Sequence, residues 1–291
     1  MKASFKIIIV ISCFATVTFA CNILENGPTD LTIINEDLTP AVSPDGNLIA
    51  YYHQGNPNLK NDSSGLYIIR ADGSGKRLLL SCEYLLNPDW SPDGKWIVYT
   101  SGIINLQGDS IRTFQGSDNM VLGFPDWSPD GKSILFNASG PNGGFYICDP
   151  FFKNIRLHFS EQQISGYNPR WSPDGKKFVY VKILQDRAGG EIFTVDTSGV
   201  NDLRLTDNNI DDQNPQWSPD GSMIAWNSNE QIYIMNIDGK NQRKLDDGES
   251  PSWTPDSNYI IYSKGNGDNL HYRVLLWKIN INGSSKTQLT F

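Results

Sequence analysis

The sequence predicts an all-β chain folded as a six-bladed β-propeller of four-stranded antiparallel blades. Three observations predict it. A phrase, P-x-W-S-P-D-G, recurs six times; each copy runs into an apolar stretch of strand length; and a Gly-containing hairpin follows most copies. The phrase's second proline falls at Pro44, Pro92, Pro129, Pro173, Pro219 and Pro255, at intervals of 48, 37, 44, 46 and 36 residues. A repeat of about 42 residues holds four short strands and their turns, the content of a propeller blade. An α-solenoid needs amphipathic helices, which the chain does not spell, and a β-sandwich gives no reason for six copies.

The chain opens with "MKASFKIIIVISCFATVTFAC", where Lys2 and Lys6 precede an apolar run, Ile7 to Ala20, that is too short to cross a bilayer as a helix. An export signal over residues 1–20 is expected, followed by a short tether, 21–27, and the propeller, 28–291. Cys21 after Thr18-Phe19-Ala20 suits lipidation as in a bacterial lipoprotein, although Thr18 departs from the preferred aliphatic residue. Lipidation at Cys13 and plain cleavage after Ala20 stay open. Loss of Lys2 and Lys6 takes the net charge from −8 to −10. So acidic a chain lacks the Lys and Arg patches that nucleic acid requires, and it meets a membrane only through a lipid.

The first repeat is "PAVSPDGNLIAYY", with Val42 where the others have tryptophan; the last is "PSWTPDSNYIIYS", with Thr254 and Ser257 for serine and glycine. In each, proline sets φ for the turn, aspartate suits the next position, and glycine takes the positive φ that follows. The runs "WIVY", "SILF", "KFVY", "MIAW" and "YIIY" are nearly continuous apolar stretches, expected as strands covered on both faces. "LYIIRADGSGKRLLL", "IFTVDTSGVNDLRLT", "IYIMNIDGKNQRKL" and "LWKININGSSKTQLT" supply the second hairpins. Trp90, Trp127, Trp171, Trp217 and Trp253 are expected to pack between blades, and Asp93, Asp130, Asp174, Asp220 and Asp256 to serve the turns. The segment Leu31 to Ile34 is expected to pair near the C-terminal blade, because an unclosed ring leaves two open edges. Cys82 and Cys148 fall in non-neighbouring repeats, so no disulfide between them is expected.

"WSPDGK" followed by a strand, then "IY-x-x-D-x-x-G" and "R-x-L-T", resembles the WD40-like (PD40) repeat of TolB-type β-propellers across roughly residues 28 to 291. TolB carries an additional α/β domain before its propeller. Here about twenty residues separate Cys21 from the first repeat, so that domain is expected to be missing. The resemblance implies a protein partner, an envelope protein or a peptide segment entering the mouth of the ring.

A search for reaction chemistry returns little. Neither G-x-S-x-G nor H-E-x-x-H is present, and His53, His158 and His271 are isolated in sequence. "DGKS" at 130–133 lacks the glycine and helix of a phosphate loop. "DNNIDDQN", residues 207–214, brings Asp207, Asp211 and Asp212 together without EF-hand spacing; no cofactor is expected, Ca²⁺ at this loop being the one candidate.

Asn87, Phe124, Asn168, Asn214, Ser250 and Thr39 each precede the first proline of a repeat, where the innermost strand enters the channel. With Tyr84 and Tyr167 in the flanking loops, they form the candidate binding set at one channel mouth. The asparagines suit hydrogen bonds to a peptide or glycan, and they equally suit capping of the turn. The reading that follows is a non-catalytic, monomeric scaffold of the bacterial cell envelope, tethered through Cys21 in the periplasm or at the outer membrane. Two alternatives stand beside it: a lyase or hydrolase acting on polysaccharide or peptide from an atypical channel site, discriminated by whether histidines meet carboxylates at one mouth, and a peptidase propeller without its catalytic domain.

Overall fold

The computed structural model describes residues 35–56, 62–83, 87–108, 111–114, 123–138, 142–184, 189–266 and 273–291. These residues form six consecutive four-stranded antiparallel units. The first is β1 (Asn35–Val42), β2 (Leu48–Gln54), β3 (Gly65–Arg70) and β4 (Arg77–Ser81); the second is β5 (Asp89–Trp90), β6 (Trp96–Tyr99), β7 (Gly102–Asn105) and β8 (Ile111–Thr113). The third comprises β9 (Gly123–Trp127), β10 (Ile134–Ala138), β11 (Gly144–Cys148) and β12 (Arg156–Ser160), and the fourth β13 (Gly166–Trp171), β14 (Lys177–Ile183), β15 (Gly190–Asp196) and β16 (Leu203–Arg204). The fifth is β17 (Asp212–Trp217), β18 (Met223–Ser228), β19 (Gln231–Asn236) and β20 (Arg243–Asp247); the sixth is β21 (Glu249–Trp253), β22 (Tyr259–Asn266), β23 (Arg273–Asn280) and β24 (Thr287–Gln288). Four units stand as separate sheets, while the first and sixth share one eight-stranded sheet.

The turn after each first strand is built as its residues dictate. The hydroxyls of Ser43, Ser91, Ser128, Ser172 and Ser218 donate to the aspartate two residues on at 2.6–2.7 Å. The same oxygens accept the N–H five residues on, at the start of the second strand or, for Ser133, one residue before it. Gly46, Gly94, Gly131, Gly175 and Gly221 hold φ between 69 and 73°, and Ser257 holds 57° in the last repeat. The aspartates are therefore turn residues.

Six apolar clusters lie between neighbouring units, each built from two of them. Trp90, Trp127 and Trp253 are buried in these clusters; Trp171 and Trp217 pack against theirs half-buried, and Val42 takes the corresponding place between the sixth unit and the first. Trp90 Nε1 donates to the Ala41 carbonyl at 2.9 Å and Trp253 Nε1 to the Gln216 carbonyl at 3.1 Å, so indoles also bond across units. Each buried large side chain contributes about 1.5–3 kcal/mol, against about 0–1 for an exposed pair such as Lys95–Asp93. Apolar packing between blades holds the ring.

The innermost strands touch in sequence order, β1 to β5, β9, β13, β17 and β21, and β21 returns to β1. This is a closed six-bladed propeller. Leu31 to Ile34 lie outside the described residues, but the adjoining Asn35 and Glu36 pair in parallel with Arg273 and Val274 of β23. They occupy the edge of β23 that β24 covers only at Trp277 and Lys278, and so join the two ends of the chain. Cys82 and Cys148 form no disulfide with each other.

Candidate functional site at the channel

Each innermost strand except β5 has a register shift against its neighbour, beside the residue that precedes proline. At that residue Thr39, Phe124, Asn168, Asn214 and Ser250 hold φ between 49 and 53°. A left-handed conformation costs a non-glycine residue roughly 1 kcal/mol, and asparagine offsets this best by bonding locally. Asn168 Nδ2 donates to Asn214 Oδ1 at 2.8 Å, and Asn214 Nδ2 to Asn227 Oδ1 at 2.9 Å. Asn227 Oδ1 also accepts the Ser250 N–H, and Asn137 Oδ1 the Asn168 N–H. An amide relay thus runs along the mouth from the third unit to the sixth. Asn137 and Asn227 are not legible in sequence as its members.

The shift opens a narrow, half-open cavity of about 60 Å³, lined by Thr39, Asn87, Asp89, Arg170, Asn214 and Ser250 among others. Asn168 is fully buried behind Asn214. The Phe124 and Tyr167 rings lie 6.2 Å apart. Tyr167 also packs into the cluster between the fourth and fifth units, and burial raises its phenol pKa. Tyr84 and Cys21 lie outside the described residues.

One residue further in from each proline sits a second ring: Ala41, Asp89, Asp126, Arg170, Gln216 and Ser252. Three of these side chains stitch their strand to the next. Asp89 Oδ2 accepts the Trp127 N–H at 2.8 Å, Asp126 Oδ2 the Trp171 N–H at 2.6 Å, and Ser252 Oγ the Val42 N–H at 3.2 Å. Arg170 donates to the Pro125 carbonyl at 2.9 Å and meets Asp126 Oδ1 at 3.3 Å. Burial pushes the Asp89 carboxyl up against the pull of Arg170. Burial, then the Asp89 charge, raises Asp126 against the same guanidinium. Two carboxylates share one cation.

Of the described histidines, neither His53 nor His158 lines the channel cavity. His53, expected as an isolated surface or packing residue, instead meets two carboxylates: Nδ1 lies 2.7 Å from Asp37 and Nε2 2.8 Å from Asp62. Strand pairing of β1 with β2 sets Asp37 opposite His53, which local sequence cannot show. The ring is fully buried, with Lys76 Nζ at 3.4 Å and the Tyr67 ring at 5.0 Å, so no face is open to a substrate. His158 lies in an outer strand, bonds the Thr197 carbonyl at 2.8 Å and has its pKa lowered by burial; His271 lies outside the described residues.

In the acidic loop Asp211 accepts from the Gly190 N–H, Asp212 from Trp226 and Asn208, and Asp207 pairs with Arg204. Those carboxylates serve separate protein donors. No group of three metal-ligating side chains is found among the described residues.

Asparagine's two readings separate by experiment. Asn214→Ala keeps the strain and removes the amide, and is expected to cost about 1–3 kcal/mol; Asn214→Gly relieves the strain and is expected to recover roughly 1 kcal/mol of that loss. Chemical denaturation of both variants checks it, equal losses being the contrary result.

Comparison with known proteins places residues 63–291 within the family described as the TolB beta propeller domain, PD40. TolB from Acinetobacter baumannii is 26% identical with a TM-score of 0.69, over 84% of this chain and 63% of that one. The chain therefore spans 63% of that protein's length. The putative TolB from Agrobacterium tumefaciens is 23% identical with a TM-score of 0.61, over 74% of this chain and 84% of that one. Oligogalacturonate lyase from Vibrio parahaemolyticus shares the fold at 12% identity and a TM-score of 0.58, over 88% and 78%.

Proposed function

Since the chain belongs to the TolB β-propeller family, we propose that it is a non-catalytic protein-binding scaffold of the bacterial cell envelope, taking a partner protein or peptide at the channel mouth. The observation that carries this reading is the mouth itself, a rigid rim of strained, mutually bonded asparagines around a half-open polar cavity. Rigid rims present fixed donors and acceptors to an extended segment at little entropic cost. His53, with both ring nitrogens engaged and no exposure, has no open face for a substrate. Export through residues 1–20 and a lipid on Cys21 complete the proposal, and the lipid confines the ring to a membrane surface.

Intact-mass and pull-down measurements on natively expressed protein, with Cys21→Ser as control, test it. The expected result is an acylated mature form that recovers a stoichiometric envelope partner, and a control that loses the acyl mass. Unmodified soluble protein without a partner would overturn the reading.

A further inference from the structure

We propose that the channel seats one side-chain amide, from an asparagine or glutamine on an extended segment of the partner, its oxygen accepting from Arg170 and its NH2 donating to Asp89. This rests on the scaffold reading and names the chemistry of its site. Arg170, on β13, is 8% exposed and lines the channel cavity. Both of its hydrogen bonds leave from Nη1, to the Pro125 carbonyl at 2.9 Å and to Asp126 Oδ1 at 3.3 Å. Its Nε is buried without an acceptor. Buried polar groups are nearly always bonded, so a donor left open in a residue of a cavity wall calls for an acceptor from outside. The guanidinium is a planar, rigid fork, and the two bonds at Nη1 hold the Nε–H edge in one place.

The chemistry of the wall decides which acceptor. A carboxylate matches a guanidinium edge, but here it would be a third anion around one cation, beside Asp126 and beside Asp89 in the same cavity. An amide oxygen brings no charge. A primary amide also carries an N–H on the same side as its oxygen, which a trans backbone amide does not. Asp89 can take that hydrogen: its Oδ2 accepts the Trp127 N–H at 2.8 Å, and a carboxylate has about four lone-pair sites. The remaining polar wall, with Asn87, Asn214, Gln216 and Ser250, is made of groups that both donate and accept, as the guest does. The rim already pairs amide with amide, Asn168 to Asn214 at 2.8 Å and Asn214 to Asn227 at 2.9 Å. Asn214 lines the cavity, so a guest amide would stand beside that relay. A cavity of about 60 Å³ takes the end of one polar side chain and not an aromatic ring.

The probe is an acetylated pentapeptide methylamide with a single central glutamine between glycines, so that no other primary amide is present. It is titrated calorimetrically against the full chain. One twin carries norleucine, which lacks both oxygen and NH2; the other carries glutamate, which adds the charge. Saturable binding of the glutamine peptide, at least about tenfold tighter than either twin, is expected. Arg170→Lys keeps a cation beside Asp126 but removes the fork, and should abolish the preference for glutamine. Because Arg170 also joins two strands, Gln216→Phe serves as a second variant: a ring placed in the cavity from β17 should abolish binding of the glutamine peptide. Equal binding of the glutamine and norleucine peptides, tighter binding of the glutamate peptide, no binding, or a preference that survives either substitution overturns the proposal. If the natural partner is captured equally by wild type and Gln216→Phe, the amide seat fails while the scaffold reading stands.

Discussion

Arg170→Met is expected to destabilise the ring by about 3–5 kcal/mol at neutral pH, because it removes the buried cation that faces Asp126 and Asp89. Methionine retains most of the stem's packing volume, so the loss reports the charge rather than a cavity. The guanidinium sits 3.3 Å from Asp126 Oδ1 and bonds the Pro125 carbonyl, and it offsets the repulsion between Asp126 and Asp89. The sign of the pH dependence follows. An acid whose folded pKa is raised keeps its proton in the folded state after the unfolded chain has released it, so stability falls as pH rises from about 4 through the raised value. Removing Arg170 raises Asp126 further, so the gap between wild type and variant should widen with pH. Asp126→Asn in the Arg170→Met background should recover most of the loss, since the amide oxygen can still accept the Trp171 N–H. Urea denaturation of wild type, Arg170→Met, Asp126→Asn and the double variant at two pH values decides it. A single variant as stable as wild type would show that the guanidinium neutralises nothing.

Sequence showed the parts of this molecule that are local. Ser91-Pro92-Asp93-Gly94 closes within a few residues, so its hydroxyl, carboxylate and positive φ are readable in order. The tryptophans were readable as packing residues because they recur in phase with strands that need covering on both faces. The ring at Asp89, Asp126 and Arg170 was not, for a physical reason. Each side chain acts on a strand 38 to 45 residues away, so the positions read Ala, Asp, Asp, Arg, Gln and Ser with no visible pattern. The asparagines stand between these cases. Their place before proline is plain in sequence, but the left-handed φ and the relay from Asn137 to Asn227 depend on a register shift that only strand pairing creates. Propeller repeats conceal contacts between blades while displaying the contacts within them. That is why fold was legible further than site.

His53 makes the same point, and its removal is the other change expected to cost the most. His53→Ala should destabilise the protein by about 3–5 kcal/mol, the usual consequence of leaving a buried charge without its partner. Asp37 is 2% exposed and meets Nδ1 at 2.7 Å; Asp62 meets Nε2 at 2.8 Å and also accepts the Asn56 N–H at 2.9 Å. A carboxylate oxygen faces each ring nitrogen, and only the imidazolium donates through both. Lys76 Nζ lies alongside, 3.4 Å from Nδ1 and 3.5 Å from Nε2. Burial alone would raise Asp62, but the Asn56 N–H, His53 and Lys76 together hold it below the usual carboxylate range. A lowered folded pKa contributes stability above about pH 4 that is lost as pH falls through the folded value. Wild type should therefore weaken on acidification. The variant should weaken less, because without His53 the Asp62 carboxyl loses part of what holds it low. The two stabilities should converge as the pH drops, and Asp37→Asn in the His53→Ala background should narrow the gap at neutral pH. Thermal unfolding across that range tests both expectations. A gap that stays constant with pH would assign the loss to packing of the ring against Tyr67, 5.0 Å away, and would remove charge from the explanation.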